Sequence, residues 1–121
     1  MSMESLIFDA LKGLVDERVY PAVAPEDEPT PYIVWQVPGG GQAINFVDGG
    51  QPSKKNARIQ LNVWSKSLAE ALRIAQQAET IMRATTALST TVQSDQRTRY
   101  EEDTKLHGTY QFFSCWADIS P

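Results

Sequence analysis

Arg58-Ile59-Gln60-Leu61-Asn62-Val63-Trp64, running through Ser65-Lys66-Ser67 into Leu68-Ala69-Glu70-Ala71-Leu72, is the stretch whose reading decides the fold. Ile59, Leu61 and Val63 occupy every second position, the spacing of a half-buried strand, and Arg58, Gln60 and Asn62 face the other way. Ser67 offers an N-cap hydroxyl and Glu70, three residues on, the return carboxylate of a capping box, so a helix is predicted from Leu68. Leu68, Ala71, Leu72, Ala75, Ala78 and Met82 recur at three- and four-residue spacing as its apolar stripe, widened by Ile74 and Ile81. A strand with one apolar face, followed at once by a helix with one apolar stripe, buries both when the helix folds back onto its sheet. The expected fold class is α+β: a small, mostly antiparallel sheet with one long helix packed on one face and an N-terminal helix.

Outward from this centre, Met3, Leu6, Ile7, Ala10, Leu11, Leu14 and Val15 mark one side of a first helix from about Met3 to Asp16, with Phe8 at its edge and Ser2 as a cap. Gly13 weakens it locally. Arg18-Val19-Tyr20-Pro21 turns extended, because proline disfavours a helical residue before it. Pro31-Tyr32-Ile33-Val34-Trp35-Gln36-Val37 reads as a strand with Ile33, Trp35 and Val37 on one face. Gly39 to Asn56 is either a weak extra strand at Ala43-Ile44-Asn45-Phe46-Val47 between two glycine turns or a long excursion from a hairpin. Beyond the main helix, Val92 to Tyr100 reads as a polar edge strand and Glu101 to Lys105 as a turn. The last strand runs from about Leu106 to Ile119, with Tyr110, Phe112, Ser114 and Trp116 alternating with Phe113, Cys115, Ala117 and Ile119. Both of its faces are apolar, which places it either centrally in the sheet or in a subunit contact.

The chain has 121 residues, 41% hydrophobic and 21% charged, and is expected to form a single domain over 1–121. No apolar run approaches the ~20 residues of a membrane helix. The start, Met-Ser-Met-Glu, lacks the basic opening and cleavage pattern of a secretory signal, so a cytosolic product is expected. One cysteine, Cys115, leaves no internal disulfide and no cysteine-based metal cage, and its apolar strand makes it a buried, inert thiol.

A net charge of -4, from 11 basic and 15 acidic residues, argues against tight duplex binding, which needs many cations against phosphates. Lys54, Lys55 and Arg58 are the densest basic group and read as a solvated strand entrance. Glu26, Asp27 and Glu28 form an acidic, proline-punctuated loop without the fixed spacing of a calcium site. Gly39-Gly40-Gly41 has no lysine-serine pair after it and starts no helix, so it is no phosphate loop. His107 is the sole histidine, without a nucleophile turn near it, and Glu101-Glu102-Asp103 reads as solvated turn carboxylates. No catalytic, cofactor-binding or metal-ligating residue is assigned, and an enzyme is not expected. The work of the chain is binding, and a long loop in a compact domain is where partner contact belongs. The candidate interface residues are Gly41, Ala43, Ile44, Asn45, Phe46, Val47 and Asp48.

The order of the pieces carries a resemblance across nearly the whole chain. Arg18-Val19-Tyr20-Pro21 with Ala24-Pro25, then Pro31-Tyr32-Ile33-Val34-Trp35, then Arg58 to Ser65 come first. Ala69, Ala71 and Ile74-Ala75 follow in the helix, and Arg99-Tyr100-Glu101-Glu102-Asp103-Thr104-Lys105-Leu106 precedes the last strand. In this order and spacing the chain resembles the tail completion or tail terminator proteins of tailed phages. The resemblance implies a structural, non-catalytic subunit, from a phage or prophage, with no cofactor. It implies a homo-oligomeric, six-fold ring that caps the tail tube and joins it to the head connector or neck protein. DNA would pass through the lumen without specific binding, no membrane would be involved, and the product would belong to the virion tail or neck after passing through host cytoplasm. A related head-tail joining (neck) protein is the alternative from the same class. From another class, a small-molecule or peptide binding module would use a pocket lined by Tyr32, Trp35, Trp64 and Trp116.

Overall fold

The computed structural model describes residues 2–39 and 54–118. Helix α1 (Met3–Leu11) is followed by a 3-10 turn (Lys12–Leu14) and strand β1 (Val19–Pro21). Strands β2 (Tyr32–Gln36) and β3 (Lys54–Ser65) lead into helix α2 (Leu68–Ala84). A second 3-10 turn (Thr86–Leu88), β4 (Thr91–Val92), β5 (Arg97–Glu101) and β6 (Leu106–Asp118) complete the chain. The α+β expectation holds: among the described residues the sheet has six strands, ordered β1-β2-β3-β6-β4, with β5 also paired to β6. β1 is parallel to β2 and every other pair is antiparallel.

The long pairing of β3 with β6, from Lys54↔Asp118 to Ser65↔His107, is the spine of the sheet. β6 is therefore central, with Phe113 and Cys115 turned to the helices and Tyr110, Phe112 and Trp116 to the opposite face. Ile33, Trp35, Ile59, Leu61, Val63, Phe113 and Cys115 point to one face, and α1 and α2 cover it with Ile7, Leu11, Ala71, Ile74, Ala75, Ala78 and Met82. Burying each of the large aliphatic side chains contributes about 1.5–3 kcal/mol, so this single two-layer core carries the fold.

Several boundaries differ from the sequence reading, each for a visible reason. α1 stops at Leu11 and tightens into the 3-10 turn that contains Gly13, where Asp16 and Glu17 take positive φ values of 52° and 65° and turn the chain into β1. Ser2 does cap α1, its hydroxyl accepting from the Ser5 N–H at 3.2 Å. The apolar stripe of α2 is centred on Ile74 and Ala78, and Leu68 and Leu72 are 39% and 37% exposed. Val37 lies past the end of β2 and is exposed instead of sharing the face of Ile33 and Trp35.

The capping box at Ser67 is closed indirectly. The Ser67 hydroxyl accepts from the Glu70 N–H at 3.2 Å, as expected, but the Glu70 carboxylate does not return to the Ser67 N–H. That N–H donates at 3.1 Å to the buried Ser65 hydroxyl, which in turn donates to Glu70 Oε1 at 2.6 Å. The last residue of β3 thus ties the strand to the first turn of α2.

The single strand expected from Val92 to Tyr100 is split. Val92 pairs with Phe113 and Arg97 with Tyr110, so four residues, 93–96, oppose only two, 111–112. The excess is absorbed by side-chain bonding. Ser94 Oγ accepts from the Phe112 N–H at 3.0 Å, and its carbonyl accepts from Gln111 Nε2 at 2.9 Å. Gln111, buried in the sheet, also donates to Glu79 Oε1 of α2 at 2.6 Å.

Candidate assembly surface

Among the described residues no helix lies over the second face of the sheet. Tyr32 and Trp64 pair across β2 and β3, and Tyr110, Phe112 and Trp116 continue the row on β6 opposite Asn62, Gln60 and Asn56. These aromatic rings are half-buried, covered in part by arginine. The Arg58 guanidinium lies 4.1 Å from the Phe112 ring centre, and that of Arg99 lies 5.3 Å from Trp64 and 5.9 Å from Tyr110. Such stacking is worth about 0.5–1 kcal/mol at exposed positions. Gly108 makes room for it: the Trp64 ring lies where a side chain at 108 would be, 2.7 Å from the position of a Cβ.

Asn62 faces this open side, as its place in the alternation predicts, but it is buried. Its amide donates to the Val34 carbonyl at 3.2 Å and its oxygen accepts from Gln60 Nε2 at 3.2 Å. The segment after β1 returns over the same region, held by Gln36 Nε2 donating to the Ala22 carbonyl at 3.2 Å. A hollow of about 230 Å³ remains there, bounded by Val23, Val34, Asn62, Trp64, Arg99 and Glu101.

The two borders of the sheet are chemically unlike. On β1 the Ile33 N–H donates to the Arg18 carbonyl and the Ala22 N–H to the Trp35 carbonyl, so even-numbered residues face β2 and Val19 and Pro21 face out. The Val19 N–H is already taken by the Glu17 carbonyl, Pro21 has no N–H, and the Pro21 carbonyl accepts from Val23. This border has no donor to offer an added strand, a common way of blunting an edge. At the other border every residue of β5 is exposed. On β6, the Phe112 carbonyl accepts from the Gln93 N–H, so even-numbered residues of that strand point away from β3. Strand alternation then directs Arg97, Arg99 and Glu101 inward to Tyr110, Gly108 and Leu106, and leaves the backbone groups of Thr98 and Tyr100 directed outward.

Charge gathers at the sheet end where β2 begins. Glu26, Asp27 and Glu28 face Asp103 across a groove of about 620 Å³ that also contains Lys66. The Tyr20 hydroxyl donates to Glu28 Oε1 at 2.8 Å. Burial pushes the Tyr32 hydroxyl above its ordinary pKa of 10.0, with the negative charges of Glu101 and Glu28 adding to the shift. Among the described residues no group of three or more His, Cys, Asp or Glu is placed to hold a metal ion, and no helix is long and apolar enough to cross a membrane.

The aromatic pocket imagined for a binding module does not form. Tyr32 and Trp64 are on the open face, whereas Trp35 is on the helix side, where it borders an apolar groove of about 360 Å³ beside Phe8, Val19 and Pro21. His107 packs against Tyr100 with ring centres 4.9 Å apart and the planes tilted by 51°. Cys115 is buried, and burial raises its thiol pKa above the usual 9.0. The candidate interface residues Gly41, Ala43, Ile44, Asn45, Phe46, Val47 and Asp48 lie outside the described residues. The sequence reads Val92 to Tyr100 as an edge strand, and in the structure β5 is exposed along its whole length, with the backbone groups of Thr98 and Tyr100 on its outer side.

A family model for tail completion protein gp17 matches residues 7–118, from within α1 to the end of β6. The chain belongs to the tail completion protein gp17 family. It is a structural component of a virion tail, not an enzyme, and the sequence resemblance to tail completion proteins is borne out. The fold is also that of a chain in the virion of a native gene transfer agent particle. The two match with a TM-score of 0.60 at 12% sequence identity, over 97% of this chain and 95% of that one. At this identity the likeness is one of fold. No curated protein matches the sequence.

Proposed function

We propose that this tail completion protein acts as a single-domain subunit of a homo-oligomeric, six-fold ring that caps the tail tube and joins it to the head connector. The observation that carries the reading is the family match over almost the whole chain, residues 7–118. The ring contacts fall to Gly41, Ala43, Ile44, Asn45, Phe46, Val47 and Asp48, on the sequence ground that a long glycine-flanked loop in a compact domain is suited to partner contact. DNA passes through the lumen without being gripped, consistent with an acidic chain.

Electron microscopy of the protein mixed with tail tubes tests this directly. The expected result is a ring on tube ends, lost when Ala43 to Asp48 are deleted while circular dichroism stays native. Tube ends left bare by the intact protein, or rings formed equally well by the deletion variant, would overturn the assignment.

A further inference from the structure

We propose that the open edge β5 is a self-recognition surface, through which two copies of the free subunit pair antiparallel about a two-fold axis at Tyr100. This goes beyond the ring and does not rest on it: a two-fold contact uses one surface twice, whereas a ring uses two surfaces once each. Three observations carry it. The backbone N–H and carbonyl groups of Thr98 and Tyr100 face outward on a fully exposed strand, so they can bond an incoming strand. The opposite border cannot be that strand, since Val19 and Pro21 offer no free donor. The third observation is charge order.

Arg97-Thr98-Arg99-Tyr100-Glu101-Glu102-Asp103 carries positive charge before Tyr100 and negative charge after it. When Tyr100 meets its own copy, Arg99 of each chain stands opposite Glu101 of the other. Both side chains are on the open face, where cross-strand neighbours touch. The neighbouring registers that also match outward backbone groups are worse. One centred on Thr98 sets Arg97 against Arg99, one on Arg99 sets that residue against itself, and one on Glu101 sets carboxylate against carboxylate. Among the described residues Arg97 and Arg99 have no carboxylate within ion-pair distance, so their partners are free to come from a second chain. Tyr100 is 50% exposed on the other face and would be covered by its symmetry mate.

Sedimentation equilibrium of the full chain, across a concentration series, tests the proposal. The wild type is expected to show a reversible monomer–dimer equilibrium. Arg99→Glu places like charges opposite each other twice and is expected to weaken the dimer about tenfold or more. Arg99→Glu combined with Glu101→Arg restores opposite charges and is expected to recover it. Both variants lose the contact of Arg99 with Trp64, so recovery in the double variant separates pairing from a fold defect, with circular dichroism as the check. A monomer at every concentration, a dimer indifferent to Arg99→Glu, or no recovery in a folded double variant would each overturn the proposal.

Discussion

Ser65→Ala is the change that tests how the strand and helix are joined. The Ser65 hydroxyl is fully buried, donates to the Glu70 carboxylate at 2.6 Å and accepts from the Ser67 N–H at 3.1 Å. A hydrogen bond to a charged group contributes about 1.5–3 kcal/mol, and losing a helix cap costs about 0.5–2 kcal/mol. The full sum is not reached, because the Glu70 side chain is 38% exposed and can turn to water, and the Ser67 hydroxyl still caps the Glu70 N–H. The expected cost is about 2 kcal/mol. In a chain of this length that lowers the melting temperature by about 6–10 °C. Urea denaturation followed by circular dichroism should show a lower midpoint with an unchanged slope. In a double-mutant cycle, Glu70→Ala should cost about 1 kcal/mol less in the Ser65→Ala background than in the wild type. Additive costs, or a Ser65→Ala protein within about 0.5 kcal/mol of the wild type, would refute the relay.

Two further outcomes follow from close packing elsewhere. Gly108→Ala puts a Cβ 2.7 Å from the Trp64 ring, and overpacking of this kind costs about 1–3 kcal/mol, offset by the ~0.5–1 kcal/mol that alanine regains over glycine in a strand. A net loss of about 1 kcal/mol with a changed tryptophan emission spectrum is expected, and a more stable variant would contradict the packing. Cys115 in the folded protein should resist iodoacetamide at pH 8, where burial keeps its thiol protonated, and should react once urea unfolds the chain. Native labelling as fast as in urea would show that the strand opens.

Much of the fold was legible because its signals are local. The alternation Ile59, Leu61, Val63 and the spacing of Ala71, Ala75, Ala78 and Met82 specify which side of each element is apolar, whatever they pack against. Ser67 was legible as an N-cap for the same reason. What failed were statements that depend on a neighbour. Leu68 and Leu72 belong to the apolar pattern, yet they are exposed because the sheet and α1 cover only the stripe around Ile74 and Ala78. The split between β4 and β5 was hidden because the two extra residues are accommodated by Ser94 bonding to Phe112 and Gln111, which are about 18 positions away in the chain.

The sequence by itself determined the α+β class, the strand-to-helix joint at Ser67, the inert cysteine and the tail completion family, since each rests on periodicity, residue chemistry or the order of short motifs. Only the tertiary structure decided which sheet border is closed and which is open. That distinction depends on where individual backbone N–H groups find acceptors: Val19 spends its donor on Glu17, and the backbone groups of Thr98 and Tyr100, one strand out from the spine, are directed away from β6.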